Sequence, residues 1–239
     1  GVADYGSCIF KKRNAQSYFA IQTVAASFVQ TQGTAQGFHF DSATMKPLVN
    51  NDAWKKAFEI YKETSKYSPP EELNLDITDV RPVYLSGRCG MFIEWGDTGP
   101  LQLGDDAKAV KGLLYAVGAV GSKEVLDRAT GKLVPVTKEN APYSVDGINF
   151  APFAAFGGWA GAINAKIDQK KKDAAYAFLS YMNQPAQSGV DVTIGATGYN
   201  PYRMSQLAST DLWVKAGMPA ELATNYLGAI NGALANLNM

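Results

Sequence analysis

Residues 84–100 read YLSGRCGMFIEWGDTGP, and this stretch decides the fold. The apolar run from Gly90 to Trp95 predicts a short buried strand. Gly and Pro residues at 96–100 then end it in a turn. In open α/β sheets, ligands gather beyond the ends of strands. Trp95 and Asp97 are therefore candidate ligand contacts, although Trp95 could instead pack at the rim and Asp97 could instead stabilise the turn.

Helices and short strands alternate along the rest of the chain, which is typical of an α/β protein. Before the opening stretch, the patterns predict a strand at 5–10 and helices at 18–28, after Asn50 or Asn51, and at 78–85. Trp54, Ala57, Phe58 and Tyr61 share one face of the second helix. After the stretch we expect, in order, a strand at 113–120, a surface loop or hairpin at 121–143, a Gly-interrupted apolar segment at 153–165, a helix from Asp168 and a last helix capped by Asp211.

The composition excludes several classes of function. The 22 basic and 22 acidic residues cancel, which argues against nucleic acid as the main partner. A single histidine, His39, argues against most histidine-based catalysis and most zinc sites. No apolar run approaches the roughly 20 residues of a membrane span. Cys8 and Cys89 match no metal motif, so they are either two buried thiols or one disulfide.

Four segments together resemble a known family. The first is Tyr84 to Met91 followed by Trp95, with Cys89 and Gly90 where the family usually has alanines. The others are a Gly-Gly strand at 157–163, the helix after it at 171–182, and a Gly-x-x-Pro-x-Arg turn at 198–203. In order and spacing they resemble extracellular, periplasmic-type solute-binding proteins of the sugar-binding ABC-transporter family, which includes maltose-binding protein.

The resemblance implies an α/β fold of the periplasmic-binding-protein type II. Two α/β lobes would be joined by hinge strands, with the ligand in the cleft between them and much of one lobe outside this chain. Residues 1–120 would form most of one lobe, and residues 121–150 a surface loop and the hinge crossing. Residues 151–205 would form part of the other lobe, and residues 206–239 a helical return towards the first lobe or the hinge.

A sugar site needs aromatic faces for stacking and polar groups for the hydroxyls. Besides Trp95 and Asp97, the resemblance suggests seven ligand contacts: Gln16, Tyr18, Gly157, Gly158, Trp159, Tyr199 and Arg203. Their structural alternatives are hinge glycines, a core position for Trp159 and a salt bridge for Arg203. It also suggests a Cys8–Cys89 disulfide, because both cysteines would lie in adjacent strands of one lobe.

The resemblance thus implies hinge closure around a small extracellular solute, for which the aromatic content favours a carbohydrate, and docking of the closed form on a membrane permease or a receptor. No catalytic residue, metal site or cofactor is expected. One alternative is the ligand-sensing ectodomain of a larger membrane receptor. A glycoside-active enzyme is another, because paired carboxylates facing one cleft cannot be judged from sequence. Other expected partners are the missing segment or a companion chain, and we expect an extracellular or periplasmic location.

Overall fold

A computed structural model describes residues 3–13, 16–153, 158–195 and 197–238. Strand β1, Tyr5–Cys8, pairs in parallel with β2, Cys89–Phe92, so that Cys8 lies opposite Phe92. Helices α1 (Ser17–Val29), α2 (Asp52–Glu63) and α3 (Ile77–Leu85) connect the two strands. Both strands and all three helices were predicted, although the strands are shorter than expected.

Side-chain caps explain where three of the helices begin. The Asn51 side chain accepts from the backbone N–H of Trp54 at 3.1 Å and starts α2. Asp76 and Asp79 form a reciprocal capping box at the start of α3. Asp168 accepts from the N–H of Lys171 at 3.0 Å and starts α4, Gln169–Met182, as predicted.

A first core lies between α1, α2 and an antiparallel hairpin. The hairpin consists of β3 (Glu124–Asp127) and β4 (Lys132–Pro135), so the hairpin alternative for this region is confirmed. Trp54 and Ala57 are buried in this core, and Tyr61 packs at its edge. Phe58 lies beside Trp54 on the predicted face, with ring centroids 6.3 Å apart, but at its margin, where the ring is more than half exposed.

A second core surrounds the two parallel strands. Cys8 and Cys89 are both buried there and joined in a disulfide, with Cα atoms 5.7 Å apart. Beyond the end of β1, Lys11 and Glu72 form a buried ion pair at 2.7 Å. Glu72 also accepts from the N–H of Ile9 at 3.2 Å. Such a buried pair is tolerated because further hydrogen bonds satisfy its remaining donors and acceptors.

A third core is built by helices of the C-terminal half. These are α5 (Pro185–Asp191), α6 (Met204–Leu207), α7 (Asp211–Lys215) and α8 (Ala220–Leu234). Trp213 is fully buried and packs edge-on against Tyr226 at 5.1 Å. The last helix was predicted wrongly. Asp211 lies inside the short α7 without capping it, and α8 follows after Gly217, which has a φ of 102° and stops α7.

Residues 113–120 were also predicted wrongly, since they form no strand. They are a continuous apolar run, but side chains of α8 take the place of a pairing strand. Asn225 accepts from the N–H of Ala116 at 2.7 Å and donates to its carbonyl at 3.0 Å. Tyr115 donates to Glu221 at 2.8 Å.

A buried polar network fixes the chain where it leaves the hairpin. Ser122 and Asn149 exchange two backbone hydrogen bonds of 2.8 Å. The Asn149 side chain donates to the carbonyls of Ser27 and Gln30 on α1, at 2.8 Å each. Asn238, near the end of the chain, donates to Asn149 Oδ1 at 3.0 Å. Three distant segments therefore meet at one fully buried asparagine.

Helix α4 has no buried residue, although its sequence carries an apolar stripe. Phe178 is 61% exposed, and Tyr176 and Tyr181 are also exposed. An exposed aromatic surface of this kind is unusual on a complete domain and is typical of a surface that contacts another segment or chain.

Candidate functional site

Four aromatic rings meet where the two parallel strands end. We call Phe10, Tyr18, Phe19 and Trp95 the strand-end cluster. Trp95 stacks on Phe10 with ring centroids 5.5 Å apart and meets Phe19 edge-on at 5.1 Å. Tyr18 lies 4.1 Å from Phe19 and is half exposed. Phe10 and Phe19 thus pack against Trp95, which remains partly exposed to solvent.

Charged side chains hold the backbone on both sides of Trp95. Arg81, on α3, donates from Nε to Glu94 Oε2 at 2.6 Å. Its two terminal nitrogens each lie 3.1 Å from an oxygen of Asp97. The other Glu94 oxygen accepts from the N–H of Trp95 at 2.9 Å. Asp97, expected as a ligand contact, is therefore buried and engaged with Arg81.

These contacts shift the proton affinities of the group. Burial raises the pKa of Glu94 to about 6, although its hydrogen bond to Arg81 works in the opposite direction. Burial alone would lower the pKa of Arg81, but the two carboxylates raise it, so Arg81 stays charged. The Arg81 ion pairs thus join a charged guanidinium to a carboxyl that titrates near neutral pH.

The turn after Trp95 packs closely against the C-terminal helices. The Tyr226 hydroxyl donates to the carbonyl of Gly96 at 2.6 Å. Burial raises the pKa of Tyr226, so the hydroxyl stays protonated. A Cβ atom at Gly99 would clash with the Tyr226 ring, which explains why a residue without a side chain stands there. Asn200 also borders this turn, beside Gly96.

The turn at 198–203 is in contact with a second tryptophan, Trp159. The indole N–H of Trp159 donates to the carbonyl of Gly198 at 3.3 Å, and the ring is 78% exposed. Gly158, just before it, has a φ of 130°, a conformation that favours glycine. Gly157 lies outside the described residues. The Gly-Gly strand predicted here is absent from the described part, residues 158–163.

The remaining expected ligand contacts, Tyr199, Arg203 and Gln16, lie in three different surroundings. Tyr199 is partly buried against the third core. Arg203 donates to Ser188 Oγ at 3.1 Å and to the carbonyl of Asn183, which ties the turn to α5 and the end of α4. Gln16 is exposed and directly precedes α1, next to Tyr18.

The structure therefore brings only some of the expected residues together: Tyr18 and Trp95 both pack on Phe19, and Trp159 bonds the turn at 198–203. Gln16 directly precedes α1 near Tyr18, and Asn200 lies on the side of Gly96 where a Cβ atom would point. Exposed aromatic faces beside backbone carbonyls and amides are suited to binding polyhydroxylated molecules.

Sequence reasoning missed Phe10, Phe19, Arg81 and Glu94. Only Phe10, an aromatic residue beyond a strand, carried a local signal.

Two further features bear on the chemistry of this surface. Among the described residues, no group of three or more His, Cys, Asp or Glu side chains is placed to hold a metal ion. None of the helices described is long and apolar enough to cross a membrane.

Comparison with known proteins shows the fold. No protein-family profile matches the chain, and no curated protein matches it. Two solved structures do, both ABC-transporter solute-binding proteins. One, from Agrobacterium radiobacter K84 in complex with ribitol, matches with a TM-score of 0.61 and 18% identity, over 96% of this chain and 48% of that chain. The other, from Agrobacterium vitis S4 with bound D-mannitol, matches with a TM-score of 0.51 and 18% identity, over 96% and 46%.

This chain therefore has the α/β fold of periplasmic solute-binding proteins. It spans about half the length of the solved structures that it matches.

Proposed function

We propose that this chain is part of a solute-binding protein that captures a small polyhydroxylated molecule, a sugar or sugar alcohol, for uptake by an ABC transporter. The observation that carries the proposal is the strand-end cluster. In a fold shared with ribitol- and mannitol-binding proteins, it presents Trp95 and the half-exposed Tyr18 beyond the ends of two parallel strands.

In this proposal, Trp95 and Trp159 supply apolar faces for the C–H groups of the ligand, while Tyr18 and Gln16 bond its hydroxyls. Gly157 and Gly158 let the backbone approach the ligand, and Tyr199 lies at the border of the site. Asp97 and Arg203 support the site from behind, because the partners of Asp97 and Arg203 are protein groups. The protein binds and releases its ligand without changing it.

We propose that residues 1–120 form most of one lobe, that 121–150 contain the hinge crossing, that 151–205 belong to the second lobe and that 206–239 return towards the first. The exposed face of α4 supports this division, since Phe178 and Tyr181 would be covered by further sequence of the second lobe or by a companion chain. Closure of the two lobes around the ligand would follow from tighter binding to the closed form.

The location that fits this role is the periplasm or the cell exterior, where the closed protein meets a membrane permease. The Cys8–Cys89 disulfide supports it, because such bonds persist in oxidising compartments.

The test is Trp95→Ala in the full natural polypeptide that contains these residues, with ribitol and D-mannitol as the first ligands. We expect Kd to rise at least tenfold while the melting temperature changes little, because Trp95 is only partly buried. Trp54→Ala is the matched control. Trp54 is buried in the first core, so this change should lower the melting temperature without changing Kd. Unchanged affinity in Trp95→Ala, with a large loss of stability, would make Trp95 a core residue and refute the proposed site.

A further inference from the structure

One guanidinium holds the chain on both sides of the candidate ligand tryptophan. Arg81 bonds Glu94, the residue before Trp95, and Asp97, two residues after it. Glu94 in turn accepts the backbone N–H of Trp95 itself. The strand end is therefore fixed at its backbone from α3, while the strand-end cluster supports the ring.

Burial makes this arrangement depend on Arg81. The side chains of Glu94 and Asp97 are 2% and 3% exposed, so water cannot replace a lost partner. Arg81 is the cation in contact with both carboxylates, and the remaining titratable group at this turn is Tyr226 of α8, whose hydroxyl bonds Gly96. Without Arg81, two buried carboxylates would face each other, and the turn would have to open to hydrate them.

We infer that Arg81 is a positioning residue for ligand binding, which orients Trp95 by holding Glu94 and Asp97 at fixed distances. The inference rests on the proposed function for its biological meaning, but the positioning itself does not require a ligand. The planar fork of arginine matches two carboxylates at once, whereas lysine offers a single point charge. Lysine at this position therefore retains the charge but loses the planar fork that bonds both carboxylates at once.

The ion pairs also make the environment of Trp95 sensitive to pH. Burial raises the pKa of Glu94 to about 6, so its proton is taken up in a range where Arg81 stays charged and Asp97 is its second partner. Protonation of Glu94 weakens its bond to Arg81. We expect the backbone of Trp95 to shift as a result, because its N–H bonds Glu94.

Fluorine NMR of protein labelled with 5-fluorotryptophan tests this without a ligand. The chain has four tryptophans, and Trp95→Phe identifies the resonance of Trp95. We expect Arg81→Met to shift and broaden this resonance, Arg81→Lys to give an intermediate result, and the other three resonances to keep their positions. The matched control is Arg88→Met, since Arg88 pairs with Glu71 at 2.9 Å on the surface. That change should leave the Trp95 resonance unchanged.

A pH titration adds a readout that a merely structural role would not move. The Trp95 resonance of the unsubstituted protein should titrate with a midpoint near pH 6, and Glu94→Gln should abolish this step. Should Arg81→Met fail to fold, Arg81→Lys still decides the question. An unchanged Trp95 resonance in Arg81→Lys overturns the inference, whatever the midpoint of the titration.

Binding of D-mannitol separates the inference from the function on which it rests. We expect Arg81→Lys to weaken binding by about tenfold, with a melting temperature close to that of the unsubstituted protein. Affinity that is equal in the two proteins overturns the inference. If neither protein binds ribitol or D-mannitol while the Trp95 resonance behaves as expected, the choice of ligand fails and the positioning role stands.

Discussion

Replacing Cys8 and Cys89 together by alanine removes a covalent link between the two parallel strands that carry the candidate site. The two cysteines are 81 residues apart in sequence. On the chain-entropy account, closing a loop of that length lowers the entropy of the unfolded chain enough to stabilise the protein by about 4.5 kcal/mol at 25 °C. Disulfides typically contribute about 2–4 kcal/mol, so we expect the free energy of unfolding to fall by 2–4.5 kcal/mol.

Urea unfolding followed by circular dichroism measures the difference between the oxidised protein and Cys8→Ala/Cys89→Ala. The reduced, unsubstituted protein is the matched control, because it keeps both buried sulfur atoms and loses only the cross-link. Its stability should lie close to that of the double variant. Thiol labelling under denaturing, non-reducing conditions should modify no cysteine of the oxidised protein. Two labelled thiols, or a double variant as stable as the oxidised protein, would refute the reasoning.

The remaining predictions concern Glu94 and the exposed face of α4. The pKa of Glu94 is about 6 in the folded protein and ordinarily 4.5, so between these values the folded state binds more protons than the unfolded state. Its contribution to stability is therefore largest below about pH 4.5 and falls, by about 2 kcal/mol in all, as pH rises through and beyond 6. Urea unfolding across this range should show that trend in the difference between the unsubstituted protein and Glu94→Gln, and a constant difference would contradict it. Residues 1–239 alone should bind a hydrophobic dye and self-associate through Phe178, Tyr181 and Trp159, whereas Phe178→Ser/Tyr181→Ser should reduce both effects. A monomer that melts cooperatively and binds D-mannitol one-to-one would show that the lobe division is wrong.

Local patterns predicted the elements whose signals lie close together in sequence. The caps at Asn51 and Asp168 needed only three residues each, and the helices that follow them begin where expected. The strand-turn pattern at Gly90 to Trp95 likewise predicted β2, although the strand ends at Phe92 and Trp95 lies three residues beyond it.

What could not be predicted depends on partners far away in the chain. Residues 113–120 have the continuous apolar run of a buried strand, but the backbone of Ala116 bonds Asn225, which is 109 residues away. Helix α8 was missed because the polar Asn225 and Asn231 interrupt its apolar pattern, and both have roles in tertiary hydrogen bonds. No local sequence pattern marks Arg81 or Glu94 as partners, because they meet only when α3 packs against β2.

The buried asparagine network has a consequence for how the molecule folds. The hydrogen bonds of Asn149 reach 122 residues back to Ser27 and 89 residues forward to Asn238. Contacts of such long range gain stability only after large loops have closed, so they are slow to form. The region between the hairpin and the end of the chain should therefore be fixed last during folding. Folding intermediates would then contain the helices and the local β3–β4 hairpin, while the contacts around Asn149 are still absent.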